Sequence, residues 1–99
     1  MANEFEIELD SDLEVVEPKK YKVYLLNDDY STMDFVVDVL VKVFRKSTDE
    51  AAQIMLNIHN KGREVCGTYT HEIAGTKVAQ VKTMARAQGF PLKALMEEE

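Results

Sequence analysis

Residues 21–46, YKVYLLNDDYSTMDFVVDVLVKVFRK, change their apolar period from two to about 3.6 within a few positions. Before the polar turn, side chains alternate between two faces, which predicts a half-buried strand over 21–27. After the turn, apolar residues recur at intervals of three and four, which predicts a helix over 31–46 although valine favours strands. The apolar stripe of this helix comprises Met33, Val36, Val37, Leu40, Val41 and Phe44.

A second apolar line on the same predicted helix runs through Phe35, Val39 and Val43. A helix that is apolar on more than one side is either deeply buried or offers one face to a ligand. Ser31 is the expected cap at its start, with Asp34 as an imperfect partner in a capping box.

The rest of the chain supplies two more helices and two more strands. Ser47 and Glu50 form a capping box, Gly62 and Gly89 are typical helix ends, and the last strand is an edge strand because it opens with proline. The further elements are predicted at 47–62, 63–70, 70–89 and 91–96. The order β-α-α-β-α-β predicts an α+β domain, with helices packed on one face of a three-stranded antiparallel sheet.

The third helix, over 70–89, begins after Thr70 as its expected cap. Gly75 lies inside it and costs about 1 kcal/mol relative to alanine. Its predicted inner face comprises Ile73, Val78, Val81 and Ala85.

Charge is concentrated at the start of the chain. The first 17 residues carry seven acids and no base, within a net charge of −6 for all 99 residues. Like charges repel along and across a strand, so we expect residues 1–20 to be a flexible acidic extension and residues 21–99 to be the folded domain. No arginine-rich face and no apolar run of about 20 residues is present, so neither nucleic acid nor a membrane is an expected partner.

A single cysteine, Cys66, excludes an internal disulfide framework and fits a reducing cytoplasm. It has no histidine beside it, and the chain contains no nucleophile motif and no phosphate-binding glycine loop. We therefore expect a cytoplasmic monomer that is not an enzyme and that needs no cofactor.

The polar triplet Asn27, Asp28 and Asp29 allows three interpretations. It can be a plain turn, since Asn and Asp bond nearby backbone and acids are favoured near a helix N-terminus. With His59 it could bind a divalent metal if the helices converge, although the spacing does not require this. It could also hold the α-amino group of a peptide, whose pKa of about 7.7–8.0 keeps it mostly charged at pH 7. Met33 and Met55 would then offer adaptable apolar walls beside it.

Several stretches, in this order and spacing, resemble the ClpS adaptors of bacterial N-degron proteolysis. They are YKVYLLNDDYSTMDFVVDVL, AAQIMLNIHNKGREVCGTYTHEIA, TKVAQV and FPLKALME. The resemblance implies a non-enzymatic adaptor that binds the free α-amino group and the bulky first residue (Leu, Phe, Tyr or Trp) of N-degron proteins. It also implies delivery of these proteins to the N-terminal domain of a ClpA- or ClpC-type AAA+ unfoldase of the Clp protease.

The resemblance also implies roles for individual residues. Asn27, Asp28 and His59 would contact the α-amino group and first peptide bond, and Asp29 would support the acidic rim. Met33 would exclude β-branched first residues, and Glu72 and Lys77 would dock on the unfoldase. The walls of the pocket for the first side chain would be Ser31, Met33, Val36, Met55, Ile58 and Leu92. The acidic segment before Tyr21 would enter the unfoldase during hand-over.

Three positions depart from the family pattern. Thr32 replaces a common proline, Ile58 a common valine and Gly75 a more usual glutamate. An extra methylene at Ile58 could change preference among first residues by about 1–3 kcal/mol. Two other classes remain as alternatives to the adaptor: the metal-dependent protein, and a ribosomal-stalk-like interaction domain that would bind its partner without a free N-terminus.

Overall fold

The structure, a computed structural model, describes residues 17–99. The order β-α-α-β-α-β and the α+β class are confirmed. The elements are β1 Lys20–Leu26, α1 Met33–Lys42, α2 Thr48–Lys61, β2 Arg63–Thr70, α3 His71–Gln88 and β3 Lys93–Glu98. Most of the expected acidic extension, residues 1–16, lies outside the described part of the chain. No helix among the described residues is long and apolar enough to cross a membrane.

The sheet has the strand order β2-β1-β3, and β1 pairs antiparallel with both neighbours. The last strand is an edge strand as expected, but it begins at Lys93 rather than at Pro91, so the proline lies before the strand. The pairing of β1 with β2 shifts between Val23 and Tyr24, so β2 carries an irregularity beside Gly67. The end of the Tyr69 ring lies where a side chain at Gly67 would be, so a substitution there would have to displace this ring.

The alternation in β1 sorts its side chains between the two sheet faces. Val23 and Leu25 are completely buried with the helices, as the sequence predicts. On the opposite face, the guanidinium of Arg63 lies 4.2 Å from the ring centre of Tyr24 and its Nη1 donates to Glu97 Oε2 at 2.9 Å. The core comprises Val23, Leu25, Phe35, Val36, Val39, Leu40, Val43, Phe44, Ala51, Ile58, Cys66, Ala74, Val81, Ala85 and Leu92.

The first helix begins differently from the prediction. Thr32, not Ser31, is the N-cap: Thr32 Oγ1 accepts a hydrogen bond from the amide of Phe35 at 3.1 Å. The helix also ends early, at Lys42. Beyond it, Arg45 adopts a positive φ of 57°, and the amide of Lys46 donates to the carbonyl of Leu40 at 3.1 Å. The cap residue of α1, Val43, is itself right-handed, with a φ of −89°, so the left-handed Arg45 belongs to the turn that follows the helix.

The second and third helices follow their predicted signals with one correction. The capping box of Ser47 and Glu50 is present, and Gly62 ends α2 at a φ of 91°. Thr70 is the residue before α3 but its side chain makes no capping bond. Ile73, expected on the inner face of α3, is 49% exposed, and Ala74 is completely buried instead. The inward face of the first turn is thus displaced by one residue.

Candidate functional site

The loop between β1 and α1 is fixed at its start by the end of α2. The amide of Asn27 donates to the carbonyl of Gly62 at 2.8 Å, directly after the last residue of β1. Gly62 is the left-handed residue that ends α2. One hydrogen bond therefore joins the polar loop to the helix that carries His59.

Asp28 holds this loop in shape through one of its two carboxylate oxygens. Its Oδ1 accepts the amide of Tyr30 at 2.8 Å and the amide of Ser31 at 2.6 Å. Burial alone would raise the pKa of the Asp28 carboxyl, but hydrogen bonding from Ser31 and from the amide of Tyr30 outweighs it and lowers the pKa from its ordinary value of 3.8. Asp28 is consequently a carboxylate at neutral pH.

The other oxygen of Asp28 is placed differently. Asp28 Oδ2 and Ser31 Oγ are both buried, and neither has a hydrogen-bond partner among residues 17–99. Buried polar atoms normally have a partner, because an unsatisfied one costs about 1–3 kcal/mol. Asp28 Oδ2 and Ser31 Oγ are therefore available to accept hydrogen bonds from a group that does not belong to residues 17–99.

These two side chains border a cavity of about 240 Å³. The loop forms its polar side, while α1 contributes Met33 and Val36, and α2 contributes Met55, Ile58 and His59. Residues three and four apart share one face of a helix, so each helix presents a single side to the cavity. The complete lining is Asn27, Asp28, Asp29, Ser31, Met33, Val36, Met55, Ile58 and His59.

The exposure of the lining residues differs sharply across the cavity. Met33 is 56% exposed, whereas Val36 and Ile58 belong to the buried core. The apolar floor is therefore part of the core, and Met33 stands at the mouth. This explains why α1 is apolar on two sides: one side is core and the other reaches the cavity.

Leu92 is the one predicted pocket residue that does not line this cavity. It is 4% exposed and lines a separate cavity between α3 and the start of β3. Its assignment as a wall of the first-residue pocket therefore finds no support in the lining.

The two predicted docking residues lie apart from this cavity, on α3. Glu72 is exposed in the first turn. Lys77 is half-buried; its Nζ donates to the carbonyl of Val43 at 2.8 Å and lies 5.6 Å from the ring centre of Tyr69. Lys77 thus stabilises the carbonyl end of α1.

One residue beside the site was missed by the sequence reasoning. Tyr30 is 77% exposed and lines a second cavity, of about 360 Å³, together with Leu26, Pro91 and Lys93. Asn27, Asp28 and Asp29 line both cavities. The sequence did contain a signal for Tyr30, since it is a large aromatic residue inside an otherwise polar loop.

The metal interpretation requires Asp28, Asp29 and His59 to coordinate one ion, and lining the same cavity does not by itself achieve this. Within residues 17–99, no group of three or more His, Cys, Asp or Glu side chains is placed to hold a metal ion. Cys66 is buried elsewhere, and burial raises the pKa of its thiol to about 12, so it stays protonated and unreactive at neutral pH.

The fold and the site together define a small α+β domain whose surface pocket has an acidic rim and an apolar floor. Residues 16–95 match the family model of the ATP-dependent Clp protease adaptor protein ClpS. The chain belongs to the ClpS family of Clp protease adaptors.

Individual relatives agree with the family match. An ATP-dependent Clp protease adapter protein ClpS from Wolinella succinogenes is 55% identical over 97 residues, covering 98% of this chain and 95% of its own length. The one from Acetivibrio thermocellus is 48% identical over the full length of both chains. The structure of Agrobacterium tumefaciens ClpS2 bound to L-phenylalaninamide has a TM-score of 0.81 and 41% identity, and the match covers 84% of this chain and 100% of that one.

Proposed function

We propose that this protein binds the free α-amino group and bulky hydrophobic first residue of N-degron proteins, and delivers them to a Clp AAA+ unfoldase. The observation that carries the proposal is Asp28: one carboxylate oxygen shapes the loop, while the other is buried without a partner at the cavity. A peptide ammonium group supplies the charged donor that such an oxygen needs.

An ammonium group has three donors, and this rim offers several acceptors. Asp28 Oδ2 and Ser31 Oγ are the unsatisfied ones among the described residues, and Asn27 and His59 line the same cavity. The lowered pKa of Asp28 keeps it charged where the peptide amine is also charged. Acetylation of the amine would remove both the charge and two of its three donors.

The apolar floor suits a single large side chain. A cavity of about 240 Å³ is below the ~300 Å³ at which drug-sized ligand sites begin. Burying a leucine or phenylalanine contributes roughly 1.5–3 kcal/mol, and a charge-assisted hydrogen bond about as much again. Association costs offset a large part of this, so we expect affinity near the micromolar range, which permits release of the cargo.

The comparison with Agrobacterium tumefaciens ClpS2 supports the ligand class. Its ligand, L-phenylalaninamide, is an aromatic amino acid whose carboxylate is replaced by an amide. It resembles the first residue of a peptide, with a free amine, a large apolar side chain and an amide in place of the first peptide bond.

Delivery to the unfoldase is the second half of the proposal. Family membership identifies an adaptor of the ATP-dependent Clp protease. On α3, Glu72 and the 49% exposed Ile73 form a mixed charged and apolar surface away from the cavity. We assign docking to this surface, with Lys77 beside it fixing α1 to α3.

The test is fluorescence anisotropy with labelled ten-residue peptides that differ only in the first residue and in acetylation of its amine. Peptides beginning with Leu or Phe should bind, and acetylation should abolish their binding. Equal binding of free and acetylated peptides would refute recognition of the terminal amine. It would favour the stalk-like interaction domain, which has no requirement for a free N-terminus.

A further inference from the structure

A second cavity adjoins the proposed substrate site and shares one wall with it. The first cavity is bounded by α1 and α2, whereas the second is bounded by the ends of β1 and β3. Asn27, Asp28 and Asp29 line both cavities, so these three residues form the wall between them. A ligand group that is held at this wall therefore borders two cavities, of about 240 and 360 Å³.

The base of the second cavity is held by the sheet. Leu26 is half-buried at the end of β1, and it is paired with Lys93, the first residue of β3. Pro91, two residues before β3, also lines the cavity, and its ring fixes its own φ. The apolar surface at the base is thus fixed in position before any ligand arrives.

Tyr30 supplies an aromatic wall to the same cavity. Its side chain is 77% exposed, while its amide donates to Asp28 Oδ1 at 2.8 Å. The carboxylate that we assign to the peptide amine therefore also holds the backbone that carries the tyrosine ring. A largely uncovered ring on a fixed backbone can pack against a second aromatic or apolar side chain.

A peptide bound at its amine brings a side chain to this place. Successive side chains of an extended chain point to opposite sides, and consecutive Cα atoms are about 3.8 Å apart. With the first side chain between α1 and α2 and the amine at Asp28 Oδ2, the second side chain points away from the first cavity. It starts one residue from the wall that the two cavities share.

The lining indicates which second residue fits. Leu26, Tyr30 and Pro91 offer apolar surface, and the alkyl stem of Lys93 can add to it. Asp29 and Lys93 carry opposite charges, so the lining does not select strongly for a charge of either sign. A large apolar or aromatic side chain matches this cavity best.

We propose that the second cavity is the subsite for the second residue of the peptide, and that Tyr30 selects a large apolar or aromatic side chain there. This inference rests on the proposed recognition of the terminal amine and extends it by one residue.

The test is fluorescence anisotropy with three labelled ten-residue peptides that begin Leu-Phe-Ala, Leu-Ala-Phe and Leu-Ala-Ala and are otherwise identical. An aromatic pair changes affinity by about 2- to 10-fold, so Leu-Phe-Ala should bind more tightly than Leu-Ala-Ala by about that factor. Leu-Ala-Phe should have no such advantage, because its third side chain points to the same side as the first. Equal affinity of all three peptides, or tightest binding of Leu-Ala-Phe, would overturn the subsite.

Two substitutions determine whether the Tyr30 ring is responsible. In Y30A the affinities for Leu-Phe-Ala and Leu-Ala-Ala should become equal, whereas Y30F keeps the ring and should keep the difference. L56A is the matched control, because Leu56 is 45% exposed on α2 and lines neither cavity. A preference that survives in Y30A, or that is lost equally in L56A, would overturn the role of Tyr30.

A measurement without any substitution gives independent evidence. Intermolecular nuclear Overhauser effects should connect the ring of the second residue of Leu-Phe-Ala to the Tyr30 ring and the Leu26 methyl groups. Contacts of that ring with Met33 or Met55 alone would place it in the first cavity and refute the inference.

Acetylated copies of the three peptides separate this inference from the proposed function. If free and acetylated peptides bind equally, recognition of the amine is wrong and the subsite is wrong with it. If acetylation abolishes binding but the three free peptides bind equally, the proposed function stands and only the subsite is refuted.

Discussion

Replacing Asp28 by Asn separates the two tasks that its carboxylate performs in the structure. Oδ1 accepts the amides of Tyr30 and Ser31, and an asparagine oxygen can accept the same two bonds. Oδ2 is buried without a partner among residues 17–99, and the substitution replaces it with an NH₂ group. The loop should therefore keep its shape. The peptide amine, which is a donor, would instead meet the NH₂ group of the substituted side chain, which is also a donor, and would lose its acceptor.

The expected loss follows from that one interaction. A charge-assisted hydrogen bond contributes about 1.5–3 kcal/mol, and each 1.4 kcal/mol changes affinity tenfold. D28N should therefore bind Leu and Phe peptides about 10- to 150-fold more weakly by anisotropy. Thermal unfolding by circular dichroism should show a fold that survives, because the two amide bonds persist.

Asp29 provides a matched control beside it. Asp29 is exposed and makes no side-chain hydrogen bond within residues 17–99, so D29N removes the same charge from a solvated position. Exposed charge pairs contribute about 0–1 kcal/mol, so D29N should weaken binding by about fivefold at most. If D28N binds as well as the original protein, or if both variants lose affinity equally, Asp28 Oδ2 is not the acceptor for the amine.

Four other outcomes are expected. Gly75→Ala should stabilise the fold by about 1 kcal/mol and raise Tm by about 4–8 °C, because α3 has space for the added methyl group; an unchanged Tm would contradict this. Thr32→Val should cost about 1 kcal/mol in urea unfolding through loss of the α1 cap, whereas Thr32→Ser should keep most of it. Met33→Ala should admit peptides that begin with Val or Ile, and unchanged selectivity in anisotropy would contradict its gatekeeper role. The stabilising effect of the Asp28 carboxylate on the fold should be fully present above pH 3.8 and should be lost as pH falls through its lowered pKa. Peptide binding should weaken above about pH 8, because the peptide amine loses its proton. A binding profile that is flat between pH 7 and 9 would argue against an ammonium ligand.

Local patterns in the sequence were sufficient for most of the fold. The alternation around Val23 and Leu25 predicted their complete burial, and Ser47 with Glu50 predicted the start of α2. The start of α1 was assigned one residue early, because a sequence does not show that the amide of Ser31 is already bonded to Asp28.

The misplacement of Ile73 on α3 has a different origin. The weak apolar pattern of this helix allowed Ile73 to be placed inside, but the structure buries Ala74 and leaves Ile73 half exposed. Lys77 reaches the carbonyl of Val43, a contact 34 positions away along the chain. Long-range contacts of this kind depend on how helices pack, which no local periodicity encodes.

The candidate site was only partly accessible from sequence. The polar triplet and Met33 could be grouped because they are close in the chain, but their meeting with His59 depends on the packing of α1 and α2. The metal interpretation grouped His59 with the triplet only on condition that the helices converge, whereas the resemblance to a family supplied the grouping directly. The resemblance also supplied Leu92, which the structure places at a different cavity.

The hydrogen bond from Asn27 to Gly62 has a consequence for how the pocket could be monitored. The bond joins the polar loop to the end of α2 across 35 positions (62 − 27), and the amide of Asn27 is protected only while these two parts of the pocket remain joined. Hydrogen exchange at Asn27 therefore reports the lifetime of the assembled pocket, separately from global unfolding. Slow exchange there in the free protein would mean that a peptide meets a finished pocket and spends little of its binding energy on assembling one.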